Sequence, residues 1–465
     1  MELTWRWSDL AAATRGETVA ALPPDYVTGI STDSRSIGAG DLFVALRGDR
    51  FDGHEYMRDA QVAGASAAVV DELYAERNRE TAPLPLLVVK DTLQAYGALA
   101  HYHRHRCGVS VVAVTGSVGK SSTRQMIAEM LRKRFHVHET EKNYNNLVGT
   151  PKTLLDIGPG VDIAVLEHGI DRPGEMARLA GISEPNVGVV VSIAPCHLER
   201  LGTLEGIARE KGLLLLAVRS DGWGVINLDS PYSTYFQALV NRSLCFSTQR
   251  HAAVHSDLIE TDAQACPRFQ VHDRQGSWSC SLSAHGRHHV ANALAAWCVG
   301  DIYEIPPEDR IAALAEFRGS WGRLNRRPGL KGSVILDDVY NANPASLLAA
   351  LETLQCSSAE RRIAVIGDMF DLGPLAEAYH LRLGQEIPSF RADYLVTLGK
   401  LSRNVASGAL DSGMPKDRVF ECENHEEVVQ RLSELAEAGD LILVKASRGM
   451  AMEKIVEQLV SPQKA

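Results

Sequence analysis

The sequence predicts an α/β protein of three domains: a small α/β N-terminal domain, a central parallel-sheet domain holding a phosphate-binding loop (P-loop), and a C-terminal Rossmann-like domain. Three observations lead to that class. At 465 residues the chain is too long for one ordinary core, given roughly 100 to 200 residues per domain. Short β-branched runs alternate with helical periodicity along most of its length, the signature of parallel sheets covered by helices. Finally, Thr115-Gly-Ser-Val-Gly-Lys-Ser121 lies between a buried-strand run and an amphipathic helix.

In the first domain, residues 1–105, the apolar runs Asp41-Leu-Phe-Val-Ala-Leu46 and Ala67-Ala-Val-Val70 alternate with helical stretches such as residues 55–62. A helix over 92–106 leads into Val109-Ser-Val-Val-Ala-Val114, which suits a strand buried on both faces. The central domain, residues 106–325, continues with strand candidates at 162–166, 187–191 and 224–227, a more polar stretch at 247–282 read as a hairpin insertion, and a helix from His288. The Gly/Arg/Pro-rich segment 318–329 has too few apolar residues for a core element and marks the second boundary. The third domain, 326–465, carries strand candidates at 334–336, 362–366, 394–397 and 441–444, alternating with helices in a doubly wound pattern.

Composition narrows the function classes. A net charge of −10 argues against nucleic acid as a partner. No apolar run is long enough to span a bilayer, and Met1-Glu-Leu-Thr-Trp-Arg-Trp7 lacks a secretion signal, so a cytoplasmic location is expected. Eight cysteines without CxxC spacing read as buried small hydrophobes rather than as disulfides or a zinc site.

The chemistry is read first from the loop. Glycines at 116 and 119 let backbone N–H groups approach phosphate oxygens at the positive end of the next helix. Lys120 would neutralise the β/γ-phosphates and the Ser121 hydroxyl would ligate Mg2+. Met126, Ile127, Met130 and Leu131 share one face of that helix. Val114 stands where the full Walker pattern has a glycine, so the match is to a shortened version. Glu167, at a strand end, suits a magnesium ligand, with a solvated strand-end charge as the bland alternative. His197 alone would be read as structural. Of His101, His103 and His105, helical spacing puts only the first and last on one face, and a solvated linker helix is the expectation.

Taken in order, these segments resemble the Mur ligases over nearly the whole chain. The resemblance rests on Ser31-Thr-Asp-Ser-Arg35 and the segment Gly40 to His54, on the phosphate loop, on Asn143-Tyr-Asn-Asn-Leu-Val-Gly-Thr-Pro151, and on the Glu167 segment. It continues in His197-Leu-Glu-Arg-Leu-Gly-Thr203, Lys211, Leu336-Asp-Asp-Val-Tyr-Asn-Ala-Asn-Pro344, Gly367-Asp-Met-Phe-Asp-Leu-Gly373 and Lys445-Ala-Ser-Arg448. It implies an ATP-dependent amide ligase of peptidoglycan precursor synthesis, and so of cell-wall biogenesis, acting as a monomer through an acyl phosphate. The implied substrates are a UDP-linked muramoyl tripeptide and D-alanyl-D-alanine. By the same resemblance two Mg2+ ions are held by Ser121, Glu167, His197 and a carbamylated Lys211, whose bland alternative is a surface lysine. Lys120, His197 and Lys211 are the implied catalytic residues. Thr115, Gly116, Ser117, Gly119, Lys120, Ser121 and Ser122 would hold the ATP phosphates, with Asn292 at adenine, Arg323 at phosphate and Asp338 at ribose. Ser34, Arg35, Asp52 and His54 would bind the uridine nucleotide; Asn145, Asn146, Thr150, Tyr340, Asn341, Asn343, Lys445, Ser447 and Arg448 complete the implied substrate contacts.

Four positions depart from the family pattern: His168, Ser192, Leu213 and His289. The rival readings are a Mur-type ligase for a different acid and amine, and a non-catalytic ATP-binding scaffold. The intact set Lys120, Glu167, His197 and Lys211 argues against the scaffold.

Overall fold

The computed structural model describes residues 4–19, 22–48 and 51–460. Met1 to Leu3, and Asp49 and Arg50 of the nucleotide-binding segment expected from the sequence, lie outside these. The chain forms two compact units: one of Met1–Ala113, Phe135–Gly169 and Glu175–Asn186, the other of Val114–Arg134, Ile170–Gly174 and Val187–Ala465.

The first unit has a five-stranded sheet in which Ile30–Ser31, Leu42–Val44, Ala67–Asp71 and Leu86–Val89 run parallel and Glu17–Val19 closes one edge antiparallel. Leu42, Phe43 and Val44 are all buried, because the sheet is covered on both faces. The helix Thr92–Cys107 starts at the Asp91 cap and is not the solvated linker expected. Tyr96, Leu99, Ala100, His103 and Arg104 are buried in it, with His103 stacked on Trp5 and bonded to the Ile157 carbonyl. His103 and Arg104 disguised its buried face, since each finds a partner inside. The same unit holds the parallel pair Val137–Glu139 and Ile163–Glu167.

In the second unit, Val187–Val190, Trp223–Asn227, Ser243–Ser247 and Val254–Thr261 are successive parallel neighbours. Val254–Thr261, Pro267–Asp273 and Gly276–Ser281 then form an antiparallel meander. The polar stretch is therefore a hairpin, as expected, but it extends the sheet rather than interrupting it. Its solvent-facing residues hid the alternation.

A six-stranded sheet completes this unit. Its order is Asn325–Pro328, Val334–Asp338, Leu441–Lys445, Arg362–Gly367, Tyr394–Leu398 and Val419–Cys422, parallel except for the first. Asn325–Pro328 corrects the reading of residues 318–329 as lacking any core element. An edge strand needs neither an apolar composition nor every ladder N–H, so Arg326, Arg327 and Pro328 are tolerated there.

Candidate active site

The phosphate loop lies wholly in the second unit and is braced from beneath. The Ser117 and Val118 amides donate to the Ser192 carbonyl and hydroxyl, each at 2.9 Å, while the Ser117 hydroxyl donates to the Ala194 carbonyl. Ser192, a departure from the family pattern, is thus what fixes the loop. Gly119, at φ +86°, turns the chain into the helix Lys120–Leu131, whose Met126, Ile127, Met130 and Leu131 are buried as expected. The first-turn amides of Lys120, Ser121 and Ser122 have no carbonyl partner within the helix, which leaves a positive cradle at its start. Lys120 Nζ donates to the Gly116 carbonyl at 2.9 Å and so curls over that cradle.

Two residues distant in sequence close on the loop. A Cβ at Gly119 would lie 2.4 Å from Asn292 Oδ1, so only glycine admits the asparagine. Asn292 Nδ2 in turn lies 3.2 Å from His289 Nδ1, and burial pushes the His289 imidazole well below its usual range, so it meets the amide neutral. His289, which replaces the family's asparagine, therefore orients Asn292. Arg323 Nη2 donates to Ser121 Oγ at 3.1 Å, and its guanidinium lies 4.3 Å from the centre of the Tyr340 ring. This joins a fixed cation to the loop serine.

His197 occupies the left-handed region at φ +50° and caps the short helix Leu198–Leu201. Its Nδ1 lies 3.7 Å from Asp371 Oδ2, and Asp371 is itself left-handed at φ +62°. Two non-glycine residues facing each other in this conformation represent stored strain of the kind found at functional sites. The sequence quoted Asp371 only within a motif. Lys211, on the helix Leu204–Leu216, is 1 % exposed, which excludes an ordinary surface lysine.

Other residues expected at ligand also make bonds within the protein. Lys445 Nζ is 2.7 Å from Asp338 Oδ2 and donates to the Asn341 carbonyl at 2.9 Å. Burial pulls Lys445 below and Asp338 above their usual ranges, while the pair holds both charges in place. Asn343 caps the helix Pro344–Cys356 in a capping box with Ser346. Ser447 Oγ accepts from the Phe370 amide at 2.8 Å. Arg448 remains half-exposed, over the Trp321 ring and paired with Glu453.

In the first unit Glu167 is 2 % exposed, not a solvated charge, and accepts from Asn145 Nδ2 at 2.7 Å. Asn146 Oδ1 accepts from the Val148 and Gly149 amides, and Thr150 is buried in the helix that follows. Asp33 is clamped by Arg35, whose hydrogen bonds lower its carboxyl to about 2, beside Ser34. His54 is used inside the unit: Nδ1 meets Asp52 at 2.6 Å, Nε2 accepts from the Asp71 amide, and Arg47 ties both aspartates together.

Residues 26–104 match the family model described as Mur ligase family, catalytic domain; 114–300 match Mur ligase middle domain; and 322–448 match Mur ligase, glutamate ligase domain. The chain is 34 % identical over 438 residues to a UDP-N-acetylmuramoyl-tripeptide--D-alanyl-D-alanine ligase of Bacillus subtilis, covering 93 % of each. It is 33 % identical to the ligase of the same name from Escherichia coli, covering 92 % of this chain and 93 % of that one. Among solved structures, MurF from Acinetobacter baumannii superposes with a TM-score of 0.89 at 28 % identity, covering 98 % of this chain and 99 % of that one. The MurF ligase of Thermotoga maritima, solved in complex with ADP, gives 0.82 at 25 % identity, covering 92 % and 96 %.

Proposed function

Since the chain belongs to the Mur ligase family, we propose that it joins D-alanyl-D-alanine to UDP-N-acetylmuramoyl-tripeptide at the expense of ATP, in peptidoglycan precursor synthesis. The observation that carries this reading is the end-to-end likeness to ligases of that one name. The braced phosphate loop supplies the chemistry. A carboxylate and a triphosphate repel each other, and preorganised positive charge is what lowers that barrier. Lys120, the first-turn amides and Arg323 provide it around one triphosphate. The peptide carboxylate attacks the γ-phosphorus, ADP departs, and an acyl phosphate forms. The amine of the dipeptide then attacks the acyl carbon, gives up its proton, and phosphate leaves.

Mg2+ belongs to this reading as the counter-charge that would offset the negative phosphates. The donors suit it. Ser121 offers a hydroxyl oxygen beside Lys120, His197 an imidazole, and Lys211, once carbamylated, an anionic oxygen. A carbamate facing a divalent ion would be neutralised, and the depth of Lys211 suits a side chain enclosed in a site rather than one at the surface. Glu167, oriented by Asn145, would be the carboxylate the first unit offers to a metal ion. Asn292 would face adenine and Asp338 the ribose, while Ser34, Arg35 and Asp52 would serve the uridine nucleotide. Tyr340 and Arg448 would contact substrate from the C-terminal sheet domain. Residues 1–105, 106–325 and 326–465 would be the substrate, ATP and ligase domains. A nucleotide-linked substrate and ATP support a cytoplasmic reaction. No helix among the described residues is long and apolar enough to cross a membrane.

The test is phosphate release with a panel of UDP-muramoyl peptides and dipeptides, followed by mass detection of the product. Release that requires both the tripeptide and D-alanyl-D-alanine supports the reading. Release with another acid or amine points to a related ligase, and nucleotide binding without turnover to a scaffold. Lys120→Ala should abolish release with an unchanged circular dichroism spectrum; near-normal turnover would remove the loop from the mechanism.

A further inference from the structure

Three side chains in the first unit, outside the ligase chemistry, converge on one point. His101 and His105 stand one turn apart on the helix Thr92–Cys107, with ring centres 4.5 Å apart and edge to face. Glu184 follows the helix Glu175–Ser183 and meets them both: its carboxylate is 2.9 Å from His105 Nε2 and 3.9 Å from His101 Nε2. One ligand atom from each of the three lies within 4.8 Å of the others. We propose that His101, His105 and Glu184 bind a divalent transition-metal ion of the zinc class, with the fourth position open to water.

The donor set is the first argument. Two imidazoles out of three ligands favour zinc and its neighbours over Mg2+ or Ca2+, whose sites are dominated by oxygen. With bonds of about 2.0–2.2 Å, tetrahedral ligand atoms sit roughly 3.4 Å apart. The His105–Glu184 contact must open slightly and the His101–Glu184 contact close slightly, which half-exposed side chains accommodate by small rotations.

The second argument is the support around the ligands. His101 Nδ1 lies 3.2 Å from the Ile182 carbonyl, a bond that protonates Nδ1 and leaves Nε2 as the lone-pair donor aimed at Glu184. Glu184 is held in the left-handed region at φ +39°, an uncommon conformation for glutamate. Arg104 secures it there: Nη2 donates to the Glu184 carbonyl at 2.8 Å and reaches Asn186 Oδ1 at 3.3 Å. The guanidinium thus bonds the Glu184 backbone and the Asn186 amide. Burial and the charge of Arg104 lower the His105 imidazole, which favours the neutral, ligand-competent ring.

An ion pair between His105 and Glu184 needs neither His101 nor its oriented tautomer. A metal ion uses all three, and would fasten the end of the Glu175–Ser183 helix to the helix Thr92–Cys107.

The experiment is calorimetric titration of the full, untagged chain with Zn2+ in excess Mg2+, which occupies the oxygen-rich sites. One Zn2+ is expected to bind the wild type, with affinity falling by at least about tenfold in His101→Ala and in His105→Ala. Glu184→Gln should weaken it too, and ligase turnover in Mg2+ should stay at the wild-type level in all three. Co2+ at the same site should give the visible absorption of a four-coordinate ion, lost in the variants. No Zn2+ binding to the wild type, or binding undiminished in both histidine variants, overturns the proposal.

Discussion

Lys445 shows how one residue carries both stability and placement. Its ammonium is buried against Asp338 and the Asn341 carbonyl, at the end of a central strand of the C-terminal sheet. Lys445→Met would leave the Asp338 carboxylate buried without its partner and cost about 3–5 kcal/mol, read as a lowered urea midpoint. Asp338→Asn in the same chain should recover part of that loss, because a neutral amide is cheaper to bury than an orphaned anion. The single residues most legible in the sequence were Lys120 and Ser121, which open a helix behind a glycine turn as their spacing predicts. His54 and Asn343 sit in recognisable motifs and are expected at ligand, and their polar atoms also make bonds inside the protein. A motif records which residues recur together, not whether they face a ligand or each other.

At the scale of elements, the central strands were readable because they are buried on both faces and therefore written in Val, Ile, Leu and Ala. Val187–Val190 and Arg362–Gly367 begin within one residue of where their β-branched runs do. Edge and hairpin strands escaped that signal. Val419–Cys422 and Asn325–Pro328 have one side open, so polar and charged residues suffice there. The helix Pro344–Cys356 is sharply started by Asn343, with proline next and Ser346 returning the bond. Asn343→Ala should cost about 1 kcal/mol, measured as a drop in thermal midpoint, and Asn343→Asp should restore most of it.

For the whole molecule, the main acid-sensitive groups are buried imidazoles. Burial lowers both His168 and His288 from 6.5 to about 4. Below pH 6.5 the unfolded chain takes up protons at these rings and the folded chain does not, until about pH 4. Their contribution is therefore intact above 6.5 and shrinks as pH falls through that window, by about 1.4 kcal/mol per pH unit for each. Urea midpoints between pH 7 and 4.5 should fall steadily, and His168→Gln, keeping a partner for Ser183, should flatten the slope.

The distribution of thiols has a practical corollary. Four of the eight cysteines are buried, three are half-buried, and Cys356 is exposed at the far end of the helix that Asn343 begins. A maleimide dye should therefore couple there first without any engineering.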